Sequence, residues 1–168
     1  MQGTPTTDER EQSTLHPGTD EEPVVLLVDD EESNLGYYQA CLEEDGYKLV
    51  MARDGIEAEE VMAGTTPDVV VLDIRMPRRD GFRTCRWMRS RDETKHVPVL
   101  FVTALGDEES VQEGIRCGAD DFVSKPVKPN DLRVRVKSLL QIRGCEDELM
   151  RVLNYIRILG HESEPRDR

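Results

Sequence analysis

Five side chains of this sequence are of types that could act together: Asp29, Asp30, Asp73, Thr103 and Lys125. Each stands at or just past the end of a short apolar run. Asp29 and Asp30 follow residues 24–28, Asp73 follows 69–72, Thr103 follows 97–102, and Lys125 closes 121–124. Runs this short, and rich in β-branched residues, read as strands buried on both faces rather than as helices. A carboxylate at the end of such a strand is costly unless something pairs with it. In an open α/β sheet that edge is also where ligands bind. Three carboxylates converging there repel one another unless a cation intervenes. Oxygen donors that leave room for water suit Mg²⁺ better than zinc. Asp30 and Asp73 are the expected direct ligands, with the backbone carbonyl of Arg75 as a third and Asp29 in support. The Thr103 hydroxyl and the Lys125 ammonium suit an oxyanion. A carboxylate flanked by a divalent cation, a hydroxyl and a lysine is what phosphoryl transfer onto a protein requires, so Asp73 is the expected nucleophile.

The elements that must position these residues are legible in order. Ser33 can cap a helix running to about Asp45, ended by Gly46, and residues 47–52 read as the next strand. Asp54-Gly55 makes a turn into a helix over 56–63, and Asp80-Gly81 starts another that runs to about Arg91. Asp107 is placed to cap a helix through Val111 and Ile115 that stops at Gly118, and a last helix spans about 130–143. Five strands alternating with five helices over 24–143 predict an α/β, doubly wound parallel sheet. The flavodoxin-like (βα)5 order 2-1-3-4-5 is favoured, with an additional C-terminal amphipathic helix.

The acidic pair in Val28-Asp29-Asp30-Glu31-Glu32, the segment Leu72-Asp73-Ile74-Arg75-Met76-Pro77 with Asp80-Gly81, Thr103-Ala104, and Gly118-Ala119-Asp120-Asp121-Phe122-Val123-Ser124-Lys125-Pro126 occur in this order at strand ends. Together they resemble the response-regulator receiver domain of two-component signalling, over about residues 24–143. The resemblance implies a phosphoacceptor switch rather than an enzyme. A histidine kinase or phosphotransfer protein would donate to Asp73 with Mg²⁺ as cofactor, Thr103 would move toward the phosphate, and Phe122 would swing inward. The surface of residues 107–117, 121–124 and 130–143 would then change for a downstream protein partner. It also implies a cis peptide between Lys125 and Pro126. Arg75 and Leu105 occupy the two positions that tune such sites, and their identities lead to an expectation of slow self-dephosphorylation.

Composition narrows the partners. A net charge of −13 over 168 residues argues against nucleic acid and against an anionic membrane surface. Residues 1–23 hold six acids against one arginine and almost no apolar side chains, the composition of a disordered tail. Cys41, Cys85, Cys117 and Cys145 form no C-x-x-C pair, and no signal peptide or membrane-length apolar run is evident, so a cytoplasmic location is expected. His16, His96 and His161 are assigned no role. Arg75, Arg78, Arg79, Arg83, Arg86, Arg89 and Arg91 cluster near the expected site, either as a helix face balanced by acids or as a docking patch for an acidic partner.

In the extension 144–168, Leu149, Val152, Leu153, Ile156 and Leu159 form one helical stripe before Gly160. It could pack back on the domain, form a dimer or begin a linker, and a homodimer is expected through helix 130–143 or residues 145–159. The residues after 143 are too few for an output domain. The joint at 132–140 weakly resembles that of receivers preceding cyclic-dinucleotide enzymes, so a regulatory module of a longer protein is the alternative. An Mg²⁺-dependent phosphohydrolase with an aspartyl nucleophile is the rival of another class, although the first strand lacks the Asp-x-Asp spacing of haloacid-dehalogenase-like enzymes.

Overall fold

A computed structural model describes residues 21–104, 108–143, 149–153 and 155–156. The first strand, β1 (Val24–Val28), leads to α1 (Glu32–Leu42) and a short 3-10 turn at Glu43–Asp45. Then follow β2 (Lys48–Ala52), α2 (Gly55–Gly64), β3 (Val69–Asp73), α3 (Gly81–Arg89) and β4 (Val99–Ala104). The unit closes with α4 (Glu108–Cys117), β5 (Asp121–Lys125) and α5 (Pro129–Ile142). All strands are parallel, in the order β2-β1-β3-β4-β5. The chain is therefore the flavodoxin-like doubly wound sheet expected from the apolar runs.

The central strands are buried on both faces because helices cover both. Val25, Leu27, Val69, Val71, Leu100 and Val102 pack with α1 and α5 on one side. Leu26, Val28, Val70, Leu72, Val99 and Phe101 pack with α2, α3 and α4 on the other. Continuous apolar strands, rather than alternating ones, are the signature of this two-sided burial.

Helix starts follow local chemistry, with one correction. Asp54 accepts from the N–H groups of Ile56 and Glu57, and Asp80 accepts from that of Arg83, so both act as side-chain caps. Ser33 does not cap α1, which begins at Glu32 with Glu31 at its cap position and no side-chain cap bond. The Asp29 carboxylate turns the chain there instead, accepting the Glu31 N–H at 2.9 Å. Gly46 and Gly118 take positive φ, 75° and 88°, where the chain leaves a helix. Asp107 and Leu105 lie outside the described residues.

Residues 149–153 and 155–156 are helical. The described residues of the apolar stripe, Leu149, Val152, Leu153 and Ile156, are half or more exposed, whereas Arg151 and Tyr155 are buried; Leu159 lies outside the described residues. Arg151 donates to the His96 carbonyl at 2.8 Å and to Asp120 at 2.6 Å, and Tyr155 donates to Asp121. Among the described residues, no helix is long and apolar enough to cross a membrane.

Candidate functional site

The strand ends bring the expected residues together. Carboxylate oxygens of Asp29, Asp30 and Asp73 lie within 4.8 Å of one another, with Asp29 and Asp73 buried and Asp30 exposed. The Lys125 ammonium reaches across from β5, 3.0 Å from Asp73 and 3.4 Å from Asp29. Asp73 pairs with Val102, and one residue further on Thr103 pairs with Ser124, so β4 delivers the buried Thr103 to the same edge. Lys125-Pro126 is a cis peptide.

Glycine at 81 is what lets the chain fold back over Asp73. Its N–H donates to the Ile74 carbonyl at 2.9 Å, and a Cβ there would lie 2.4 Å from the Asp73 carbonyl oxygen. No side chain fits so close to backbone. Arg75 is exposed and lines an open cleft of about 460 Å³ with Asp30, Pro77, Asp80, Phe82 and Ser110.

Asp29 is the most enclosed carboxylate. It accepts from the Glu31 N–H, from Asn34 at 3.2 Å and from Tyr38 at 3.3 Å. Asn34 and Tyr38 are partners that the sequence analysis did not single out. Their spacing of five and nine residues from Asp29 carries no local motif, and only the crossing of α1 over β1 brings them back. Burial, then the charges of Asp29 and Asp73, pushes the Tyr38 hydroxyl far above its ordinary range, so it stays a donor. Tyr37 donates to the Val127 carbonyl at 2.7 Å, tying α1 to the chain just past the cis peptide.

Burial dominates the electrostatics at Asp73. Burial raises its carboxyl from an ordinary 3.8 to about 6, and Asp29 and Asp30 push the same way against the hydrogen bond and charge of Lys125. Burial opposes the Lys125 ammonium, but Asp73 and Asp29 together outweigh it and raise its value. Folded chain thus holds the Asp73 proton to higher pH than unfolded chain does. Between about pH 4 and about pH 6 the native state binds more protons, so this group's contribution to stability falls as pH rises through that window. In metal-free buffer, a thermal-melt series should show this decline in wild type and lose it in Asp73→Asn. Parallel curves for the two proteins would contradict the assignment.

Phe122 is half-buried beside Phe101, with ring centroids 6.0 Å apart. Gly114 of α4 leaves room for it, since a Cβ there would sit 2.7 Å from the ring. The arginine cluster is largely engaged within the fold. Arg78 pairs with Asp54, Arg79 with Glu59 and Arg86 with Glu113. Arg89 donates to the Gly118 carbonyl and Asp120, and Arg91 lies 4.3 Å over the Trp87 ring. These partners favour the balanced-face reading over an acidic docking patch.

A family model for the response regulator receiver domain matches residues 25–137. The chain belongs to the response regulator receiver family. Receiver domains are signalling switches of two-component systems, and they typically hold Mg²⁺ in an acidic pocket such as this trio of aspartates provides. Response regulator PleD of Caulobacter vibrioides is 38% identical over 125 residues, which cover 74% of this chain and 28% of PleD. The chain spans about half or less of the length of the first curated relatives it matches. Among solved structures, chemotaxis protein CheY4 of Vibrio cholerae superposes with a TM-score of 0.68 at 30% identity, covering 71% of this chain and 99% of that one. The receiver domain of the sensor histidine kinase PA1611 of Pseudomonas aeruginosa superposes with a TM-score of 0.67 at 26% identity, covering 71% and 98%. That structure carries a magnesium ion coordinated in its active-site cleft.

Proposed function

We propose that this chain is a phosphoacceptor switch in which Asp73 receives a phosphoryl group from a histidine kinase or phosphotransfer protein. The observation that carries the reading is the Asp73 carboxylate, buried beside Asp29 and Asp30 yet held 3.0 Å from the Lys125 ammonium. An Asp73 oxygen attacks phosphorus, the N–P bond of phosphohistidine breaks, and the imidazole leaves with the electron pair. Lys125 steadies the charge on the transferred group, and the Thr103 hydroxyl donates to it once it has arrived.

The donor set fits a magnesium ion. Its ligands are oxygens, and three carboxylates lie within 4.8 Å of one another with the Lys125 ammonium beside two of them. Asp30, Asp73 and the Arg75 carbonyl would hold the ion, with Asp29 behind them. When bound, it neutralises charge on the phosphoryl oxygens and favours ionised Asp73.

Residues 24–143 form the receiver unit in this reading, and 144–168 a helical extension, in a protein that works in the cytoplasm. Thr103 and Phe122 carry the change to the α4–β5–α5 surface and so to a downstream protein. A regulatory module of a longer protein is a second reading, favoured by the 28% of PleD that the chain spans. Incubating the chain with a small phosphodonor and Mg²⁺ separates switch from hydrolase. One acid-stable, base-labile phosphate per chain is expected, and it should disappear when the metal is chelated. Many turnovers on phosphomonoesters would instead establish the hydrolase.

A further inference from the structure

Asp54 is a buried carboxylate, 3% exposed, for which the phosphoacceptor reading has no use. It stands outside the trio of aspartates whose oxygens converge at the strand ends. One of its oxygens caps α2, accepting from the Ile56 N–H at 2.9 Å and from the Glu57 N–H at 3.0 Å. The other accepts from the guanidinium of Arg78, in the loop that follows Asp73. Among the described residues, Arg78 is the one non-glycine residue with positive φ, at 63°. A long L side chain takes up that conformation only where its surroundings hold it. The Asp54 carboxylate is placed to do so, because an arginine that swung away would leave a buried charge without this cation.

Two further ties join the same loop to α2. The Gly55 N–H donates to the Arg79 carbonyl at 3.3 Å, and the Arg79 guanidinium pairs with Glu59, one turn further along the helix. The approach is close. A Cβ at Gly55 would lie 2.1 Å from the Thr84 hydroxyl oxygen and 2.8 Å from Cγ of Arg79, so only glycine lets α2 start against this loop and α3. At its base the loop is closed beside Asp73, where the Ile74 N–H donates to the Val102 carbonyl at 3.3 Å and the Ile74 carbonyl accepts from Gly81. Residues 75–77 therefore run between two fixed points, Ile74 and Arg78. With Cα steps of about 3.8 Å, so short a span cannot keep its course if either end is released.

We propose that Asp54 is a positioning residue of the cation site: through Arg78 and Arg79 it fixes the course of residues 75–78, and with it the backbone of Arg75. The proposal rests on the reading above for the Arg75 carbonyl as a magnesium ligand. The hold on the loop stands on the contacts alone. Groups that orient a metal's ligands typically account for about 10–100-fold of its affinity.

The competing role for Asp54 is that of a helix cap and nothing more, and Asp54→Ser separates the two. Serine is a good cap, but it offers Arg78 no charge. In the full chain, a Mg²⁺ titration followed by amide chemical shifts should give a dissociation constant raised about 10-fold in Asp54→Ser and in Arg78→Ala. The double variant should be no weaker than either single one, since both break the same tie. Arg78→Lys should recover part of the loss. In metal-free protein, amide exchange should quicken in residues 75–79 of Asp54→Ser while α2 keeps its protection. A dissociation constant within about 2-fold of wild type in Asp54→Ser, or losses that add in the double variant, would overturn the proposal. Wild type that takes up no Mg²⁺ would defeat the metal reading and the cation half of the proposal with it. Unchanged exchange in residues 75–79 would defeat the positioning itself, whatever the metal does.

Discussion

Asp73→Asn is expected to reduce phosphoryl incorporation from a small donor to background while the protein remains folded. The amide cannot serve as the nucleophile. Asp29 cannot take over, because the Glu31 N–H, Asn34, Tyr38 and Lys125 already occupy its oxygens. The same substitution removes a carboxylate that burial has raised to about 6, and with it a charge that is unfavourable at neutral pH. Metal-free Asp73→Asn should therefore melt higher than wild type at about pH 7.5, and adding Mg²⁺ should raise its melting temperature less. Lys125→Met provides the graded comparison. With one of the cationic partners of the transferred group gone, labelling should slow roughly 100-fold without vanishing. Intact protein mass after reaction with donor reads wild type and both variants. Labelled Asp73→Asn at wild-type extent would remove Asp73 from the chemistry.

How much of this was readable beforehand depended on the distance between the interacting groups. Strand ends were legible because apolar runs stop at charged residues, and doubly wound topology then forces 29, 30, 73, 103 and 125 to one edge. The α1 start was misread because a serine beside a helix start resembles a cap, whereas the turn is set by Asp29, which has already ended a strand. Asn34 and Tyr38 were missed as partners of Asp29 for a related reason: helix periodicity sorts them by face and says nothing of the carboxylate beneath that face. The C-terminal helix shows the limit most clearly. Its stripe marked an apolar face, but amphipathicity alone cannot tell which side meets the domain. That was decided by two consecutive aspartates, some thirty residues earlier in the chain, accepting an arginine and a tyrosine.

Asp120 is accordingly a polar position outside the acidic site where a single substitution should cost the fold heavily. One of its oxygens accepts from the Val99 N–H at 2.8 Å, from Arg89 at 3.2 Å and from Arg151 at 2.6 Å. It thus joins the start of β4, helix α3 and the C-terminal helix at the beginning of β5. Asp120→Ala leaves the Val99 N–H without this acceptor and strands the buried Arg151, whose Nε already lacks a partner. Breaking a buried pair from one side costs about 3–5 kcal/mol, and each lost kilocalorie lowers the melting point of a domain this size by about 3 °C. A drop of about 10 °C is therefore expected at neutral pH. Arg151→Leu removes the other partner but leaves Asp120 with Arg89 and the Val99 N–H, so the sheet should keep most of its stability. Its effect should appear as faster amide exchange in residues 149–156, the helix it releases. Equal melting losses in the two variants would mean that Arg151, and not the junction at Asp120, carries the stability. A loss below about 2 °C in Asp120→Ala would show that the junction is held by other contacts.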